Sequence, residues 1–252
     1  MAENSSRIVS IHSAPCENTT CPHEPVCYHK ARNKCADFKD LHIYRLLAIA
    51  HEYKVYEALC RSYIDESYLD LVRSNPNYNI TVASNQINLD LLSSLPTNQI
   101  QITCHTLKDL FLYQEYQKLF LIKDEDSYSM FKLIESDTRF QKVHFCIDAN
   151  FLDKTRMFKI IRIHSSCKQH SITLDSCLTN WIVNGRCTYK DNYIDINYDR
   201  TFRRCPFDPI GLDIEEKTIK EMFDIQIHHK CKYIELFSKG VSNNGGTETN
   251  IT

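Results

Sequence analysis

Short apolar runs alternate with stretches of helical spacing at nearly even intervals, and this rhythm constrains the chain more than any other feature. Strand-like segments read at Ile8–His12, Tyr78–Ala83, Gln99–Cys104, Leu119–Lys123, Lys142–Asp148 and Ser171–Asp175. The last five start about 20 to 30 residues apart, the length of a strand, a helix and two short loops. Between the first two, residues 38–60 show apolar residues at helical spacing: Phe38, Leu41, Tyr44, Leu47, Ala48, Val55 and Leu59. Ser74-Asn75-Pro76-Asn77 supplies turn chemistry before the second strand. Six strands alternating with helices predict an α/β fold, a six-unit parallel (βα) partial barrel spanning residues 1–175. The rhythm stops after Asp175. Residues 176–238 are expected to form a small cysteine-containing extension, with a hairpin in YIDINYDRTFRRCPF, and residues 239–252 a disordered polar tail.

Parallel α/β folds bind ligands beyond the C-terminal ends of their strands. That rule singles out Ser84, Asn85 and Gln86, Cys104 and His105, Lys123, Asp148 and Asn150, and Asp175 as residues around one cavity. It also singles out the cysteine-rich stretch Cys16–Cys35, which follows the first strand. Twelve cysteines in 252 residues are many, and five glycines are few. Reduced thiols in a cytoplasmic chain favour metal binding or catalysis over a disulfide framework. Cys60, Cys104, Cys146 and Cys167 stand alone and read as buried small hydrophobes.

Cys16, Cys21 and Cys27 are spaced C-x4-C-x5-C, with Cys35 eight positions on. Structural zinc sites use a C-x2–4-C knuckle and a matching second pair. No C-x2-C pair occurs anywhere in the chain, although Cys16 and Cys21 with His23, His29 or Cys35 leave a loose zinc knot open. Three thiolates on one loop also suit three irons of a [4Fe–4S] cluster, whose fourth iron stays available.

The three-cysteine loop after the first strand, the six-strand count and the aromatic beside the last cysteine (Cys27-Tyr28) resemble the radical S-adenosylmethionine superfamily. The resemblance covers roughly residues 7–175. It implies that Cys16, Cys21 and Cys27 ligate the cluster and that S-adenosylmethionine chelates the fourth iron. Reductive cleavage would then give a 5′-deoxyadenosyl radical that abstracts hydrogen from a substrate at the barrel mouth. Cys104, His105, Asp148 and Asp175 are then the catalytic candidates, and Ser84, Asn85, Gln86 and Asn150 the cofactor-binding candidates. An electron donor such as flavodoxin or ferredoxin is implied; the substrate, whether peptide, nucleotide or small molecule, is not. Two departures stand out. The common family motif is C-x3-C-x2-C, and the glycine-rich motif after the second strand is replaced here by Ala83-Ser84-Asn85-Gln86.

Cys177, Cys187, Cys205 and Cys231 crowd the last third of the chain. The hairpin ending in Cys205-Pro206 resembles the auxiliary-cluster extensions of that superfamily, of the SPASM or twitch type, where glycine often stands at the turn position of Arg200. A second iron–sulfur cluster on those four cysteines is the expectation that follows. A small zinc-stapled or simply folded subdomain is the alternative.

Residues 153–204 hold ten basic and five acidic side chains, within a chain of net charge −2. A local excess of this size suits an acidic or phosphate-bearing ligand, or simply a solvated face. Together with Tyr189, Tyr193, Tyr198 and Phe202 it supports a second reading, a non-enzymatic zinc-stapled module contacting RNA or another acidic partner. A third reading is a cluster-binding protein without S-adenosylmethionine chemistry, motivated by the missing glycine motif. No P-loop, G-x-S-x-G elbow or H-E-x-x-H occurs. No apolar run approaches the roughly 20 residues that span a bilayer. The start MAENSSRIV lacks the pattern of a secretory signal, so the expected location is cytoplasmic.

Overall fold

A computed structural model describes residues 7–12, 38–59, 66–84, 93–148, 151–166, 171–175, 177–179, 187, 192–197, 200–205, 211–214 and 217–226. Strands β1 (Ile8–His12), β2 (Lys54–Ala58), β3 (Tyr78–Ala83), β4 (Ile100–Cys104), β5 (Gln117–Ile122), β6 (Val143–Ile147) and β7 (Ile172–Leu174) lie side by side in chain order, all parallel. Helices α1 (Phe38–Ala50), α2 (Glu66–Arg73), α3 (Leu107–Leu112), α4 (Glu125–Ser136) and α5 (Lys154–Ser166) occupy the crossovers, and a 3-10 turn (Thr97–Gln99) precedes β4. Parallel crossovers are right-handed, so strands added always in one direction put every helix on one face. The sheet is therefore singly wound, with helices outside and the other face turned inward. This is the expected α/β class, a partial (βα) barrel.

One strand was not expected. The helical reading of residues 38–60 stops at Ala50, and Lys54–Ala58 forms β2 between β1 and β3. The helix ends through Glu52, whose φ is 58°, followed by a bond from Tyr53 N–H to the Ala48 carbonyl at 3.0 Å. That is a left-handed helix terminus, a position glycine usually holds. Glutamate there carries no stop signal, and Val55 happens to continue the apolar spacing.

The expected hairpin is present as β8 (Tyr193–Asn197) and β9 (Thr201–Arg203), antiparallel, with Arg200 at φ 62° in the turn. Strand β8 also pairs in parallel with β1, Ile8 against Tyr193 through His12 against Asn197. A short strand β10 (Leu212–Asp213) pairs with β9. Among the described residues the strand order is β10-β9-β8-β1-β2-β3-β4-β5-β6-β7. Helix α6 (Ile219–Asp224) starts with a capping box, Thr218 with Glu221, and packs against α1 and β8.

The two faces of the sheet differ in kind. Register fixes the sets: Val9 stands beside Val55 and Ile194, Ile80 beside Ile100, Phe120 beside Phe145, and Phe145 beside Leu174. All of these are buried in the apolar layer beneath the helices. Side chains alternate along a strand, so the intervening residues face inward. Most are polar: Ser10 and His12, Thr81, Gln101 and Thr103, His144, Asp195 and Asn197. Leu119 and Leu121 of β5 are the main apolar interruption. At about 25 cal/mol per Å2, burial of the outer layer is the main stabilising term.

Candidate functional site

The inner face ends, at the C-terminal edge of the sheet, in His12, His105, Lys123, Asp148, Asp175 and Asn197. Local bonds fix several of these. After β4, Thr106 and Asp109 form a capping box that starts α3, and Asp109 Oδ2 accepts from the backbone N–H of both His105 and Thr106, each at 3.1 Å. After β5, Asp124 and Ser127 do the same for α4, and Ser127 Oγ accepts the Lys123 N–H at 2.9 Å. The capping residue thus reaches back across the turn and holds the strand-end residue. Asp148 donates its backbone N–H to the Ile122 carbonyl at 2.9 Å, extending the β5–β6 ladder by one rung. Asp175 Oδ1 accepts from Leu178 N–H at 3.0 Å, so this carboxylate starts the next helical turn.

Adjacent Cys104 and His105 separate, as strand alternation requires. Cys104 lies beneath the helices, 1% exposed, with its thiol pushed up to about 12 by burial and by Asp109. His105 falls on the inner side. Burial lowers its pKa, Lys123 adds to the shift, and Asp109 opposes it. A neutral imidazole results, and its Nε2 is buried without a hydrogen-bond partner. On β6, His144 Nδ1 lies 2.8 Å from Thr173 Oγ1 of β7, and burial pushes its pKa down to about 4. Cys146 follows on the same face, its thiol raised by burial and by Asp175.

At the opposite end of the inner face, His12 Nε2 sits 2.9 Å from Asp195 Oδ1, and the hairpin register puts Arg203 across from Asp195. His12, His144, Asp195 and Asn197 are inner-face residues that the sequence reading did not select. The available signal was alternation: IVSIH and YIDIN each place polar residues at every second position.

Ser84 lies at the end of β3. Asn85, Gln86, Asn150, Cys16, Cys21, Cys27, Cys35 and Cys231 lie outside the described residues, as do residues 239–252. Of the second cysteine group, Cys177 and Cys205 are buried and Cys187 is half-buried. Among the described residues no three His, Cys, Asp or Glu side chains converge as metal ligands. No helix among them is long and apolar enough to cross a membrane.

No protein-family model and no curated protein matches the sequence. Solved structures do match. Streptococcus suis SuiB bound to the precursor peptide SuiA aligns with a TM-score of 0.61 at 9% identity, over 87% of this chain and 65% of that one. SuiB bound to S-adenosylmethionine aligns with a TM-score of 0.60 at 10% identity, over 87% of this chain and 66% of that one. The chain therefore spans just under two thirds of SuiB, and at such identity the likeness is one of fold.

Proposed function

We propose that the chain is an enzyme of the radical S-adenosylmethionine type acting on a peptide. One observation carries this reading. The C-x4-C-x5-C stretch leaves the C-terminal end of β1 in a singly wound partial barrel whose inner face is polar and lined by strand-end residues. The fold shared with SuiB, a protein seen with both S-adenosylmethionine and a precursor peptide, supports it.

The chain's residues fit such a cofactor in chemistry. Three thiolates on one segment are the donor set a [4Fe–4S] cluster requires, and Cys16, Cys21 and Cys27 would supply them. The buried, unpartnered Nε2 of His105 is a polar atom awaiting a ligand on the face where S-adenosylmethionine would lie. When bound, the cluster and S-adenosylmethionine supply one-electron chemistry that opens an unreactive C–H bond. The chain's own residues would bind and orient. Ser84, Asn85, Gln86 and Asn150 are assigned to the cofactor, and His105, Asp148 and Asp175 to the mouth where substrate sits. Cys104, buried beneath the helices on the other face, is left out of that mouth. An auxiliary cluster on Cys177, Cys187, Cys205 and Cys231, and a flavodoxin or ferredoxin as electron donor, belong to the same proposal.

The test is anaerobic purification with assay of iron, zinc and acid-labile sulfide. The expected result is about four irons and four sulfides lost when Cys16, Cys21 and Cys27 are changed together to Ala. Reduced protein should then cleave S-adenosylmethionine. Zinc without sulfide would overturn the reading in favour of a zinc-stapled module.

A further inference from the structure

The seam between β1 and β8 holds a polar atom that the fold does not use. Asn197 ends β8 in register with His12, and it is 0% exposed. Its Nδ2 donates to the Thr201 carbonyl at 3.3 Å and to Thr201 Oγ1 at 3.4 Å. A carbonyl oxygen only accepts, so this bond identifies the nitrogen end of the amide and leaves Oδ1 as an acceptor. Oδ1 has no hydrogen-bond partner. The partner of Nδ2 is itself closely packed. Thr201 is packed against Gly211 so closely that a Cβ at residue 211 would stand 2.7 Å from the threonine Cβ and Oγ1.

The charges nearby decide what would bind. Asp195 faces the same side one step back along β8, with His12 Nε2 at 2.9 Å and Arg203 across the hairpin. The carboxylate is thus flanked by two basic groups. A ligand cation gains little from a carboxylate already flanked, and an anion would meet an oxygen acceptor. A neutral N–H donor satisfies Asn197 and disturbs no charge.

We propose that Asn197 Oδ1, held by Thr201 and Gly211 beside the His12–Asp195 pair, is a subsite that accepts an amide N–H from the bound substrate. It makes Asn197 a specificity-determining residue of the inner face. The inference rests on the peptide reading above and deepens it, because it says which substrate group is read and by which atom.

The experiment uses the full chain, purified anaerobically, with its asparagine side chains isotopically labelled. Acetyl-trialanine amide is titrated and the Asn197 amide resonance followed by NMR. The probe is then replaced by its ester-linked analogue, which removes backbone N–H donors at nearly constant shape. Saturable shifts with the amide, weaker by about tenfold or more with the ester, are expected, since a site built around one hydrogen bond rejects the analogue lacking it. Asn197→Leu, which lacks that resonance, is compared with the unmodified chain by calorimetric titration and should bind amide and ester alike while its thermal midpoint barely moves. Equal responses to amide and ester, no response to either, or saturation by methylammonium or acetate alone would overturn the inference. So would an Asn197→Leu protein that still discriminates; if that variant does not fold, the comparison on the unmodified chain decides. Iron and sulfide content are read on the same samples. Cluster and cofactor cleavage without amide discrimination would sink only this subsite, and discrimination without a cluster would sink only the radical chemistry.

Discussion

Two buried polar groups of this protein sit back to back across the same sheet, and they are finished to different degrees. Beneath the helices, Glu57 of β2 is 0% exposed and Arg45 of α1 is 1% exposed. Glu57 accepts from Arg45 Nε at 3.0 Å, from Arg45 Nη2, from Tyr68 Oη at 3.0 Å and from Tyr78 Oη. Burial and the Glu57 charge hold both phenols protonated. On the inner face, His105 Nε2 and Asn197 Oδ1 are equally withdrawn from water and have nothing to bond. Leaving such an atom unmade costs about 1–3 kcal/mol. A satisfied network leaves no atom for a ligand, whereas an unsatisfied atom on a ligand-facing surface is a cost that binding relieves.

The largest expected effect lies in the finished network. Glu57→Leu strands a guanidinium and two hydroxyls in the apolar layer, and loss of one partner from a buried pair costs about 3–5 kcal/mol. Urea unfolding should show it as a lower midpoint at unchanged slope. Adding Arg45→Met to Glu57→Leu should recover most of the loss, because the penalty is the unpaired charge and not the missing bridge. A double variant as unstable as the single would show that the bridge itself stabilises the fold.

Between the extremes stands His144, bonded on one side to Thr173 Oγ1 and lowered by burial to about 4. An unfolded histidine titrates near 6.5. Between pH 6.5 and 4 the unfolded chain takes up a proton that the folded one refuses, so stability falls with pH through that window and is full above it. For a ring that is only half-buried the loss should be on the order of 1 kcal/mol. Thermal midpoints at pH 7, 6, 5 and 4 measure it. His144→Gln should flatten the curve; an unchanged slope would move the acid sensitivity elsewhere.

A smaller effect tests the hairpin that carries Asn197. Arg200 holds φ 62° and donates its N–H to the Asn197 carbonyl at 3.2 Å. A left-handed non-glycine residue costs about 1 kcal/mol. Arg200→Gly should raise stability by about 0.5–1 kcal/mol, read as a higher thermal midpoint. A drop would mean that the arginine side chain anchors the turn.

What the sequence revealed follows the same divide. Apolar periodicity located six strands and the helices around them, because burial of one face is written directly in residue type. It missed β2, where KVYEA interrupts the apolar signal with a lysine at one end and a buried glutamate. Nothing local says that Glu57 is inside; Arg45, Tyr68 and Tyr78 say so, from 11 to 21 positions away in the chain, and only folding brings them together. The hairpin was legible from its alternation and turn. Its parallel seam with β1 was not, since β1 and β8 are some 180 residues apart and pairing leaves no mark in either segment. At the site, strand ends were foreseeable by rule, which gave His105, Asp148 and Asp175. The separation of Cys104 from His105 follows from alternation alone. His12 and Asn197 also end strands, but β8 was read as part of an extension, so its last residue never entered the cavity.

The smallest expected change is also the sharpest test of the comparison. His105 has its backbone N–H tied to Asp109 Oδ2 at 3.1 Å, so the loop and α3 do not depend on its ring. The ring contributes a buried nitrogen without a partner, and its lowered pKa means that no charge is lost when it is removed. Replacing an unsatisfied polar group with an apolar one of similar size is nearly neutral. His105→Leu should therefore lower the unfolding free energy by less than about 0.5 kcal/mol, or raise it, although Nε2 is as withdrawn from water as Glu57. Calorimetric titration with acetyl-trialanine amide should then show weaker binding by the variant. A loss of stability comparable to that of Glu57→Leu would mean that the ring supports the barrel, and the contrast between the two faces would fail at its most exposed point.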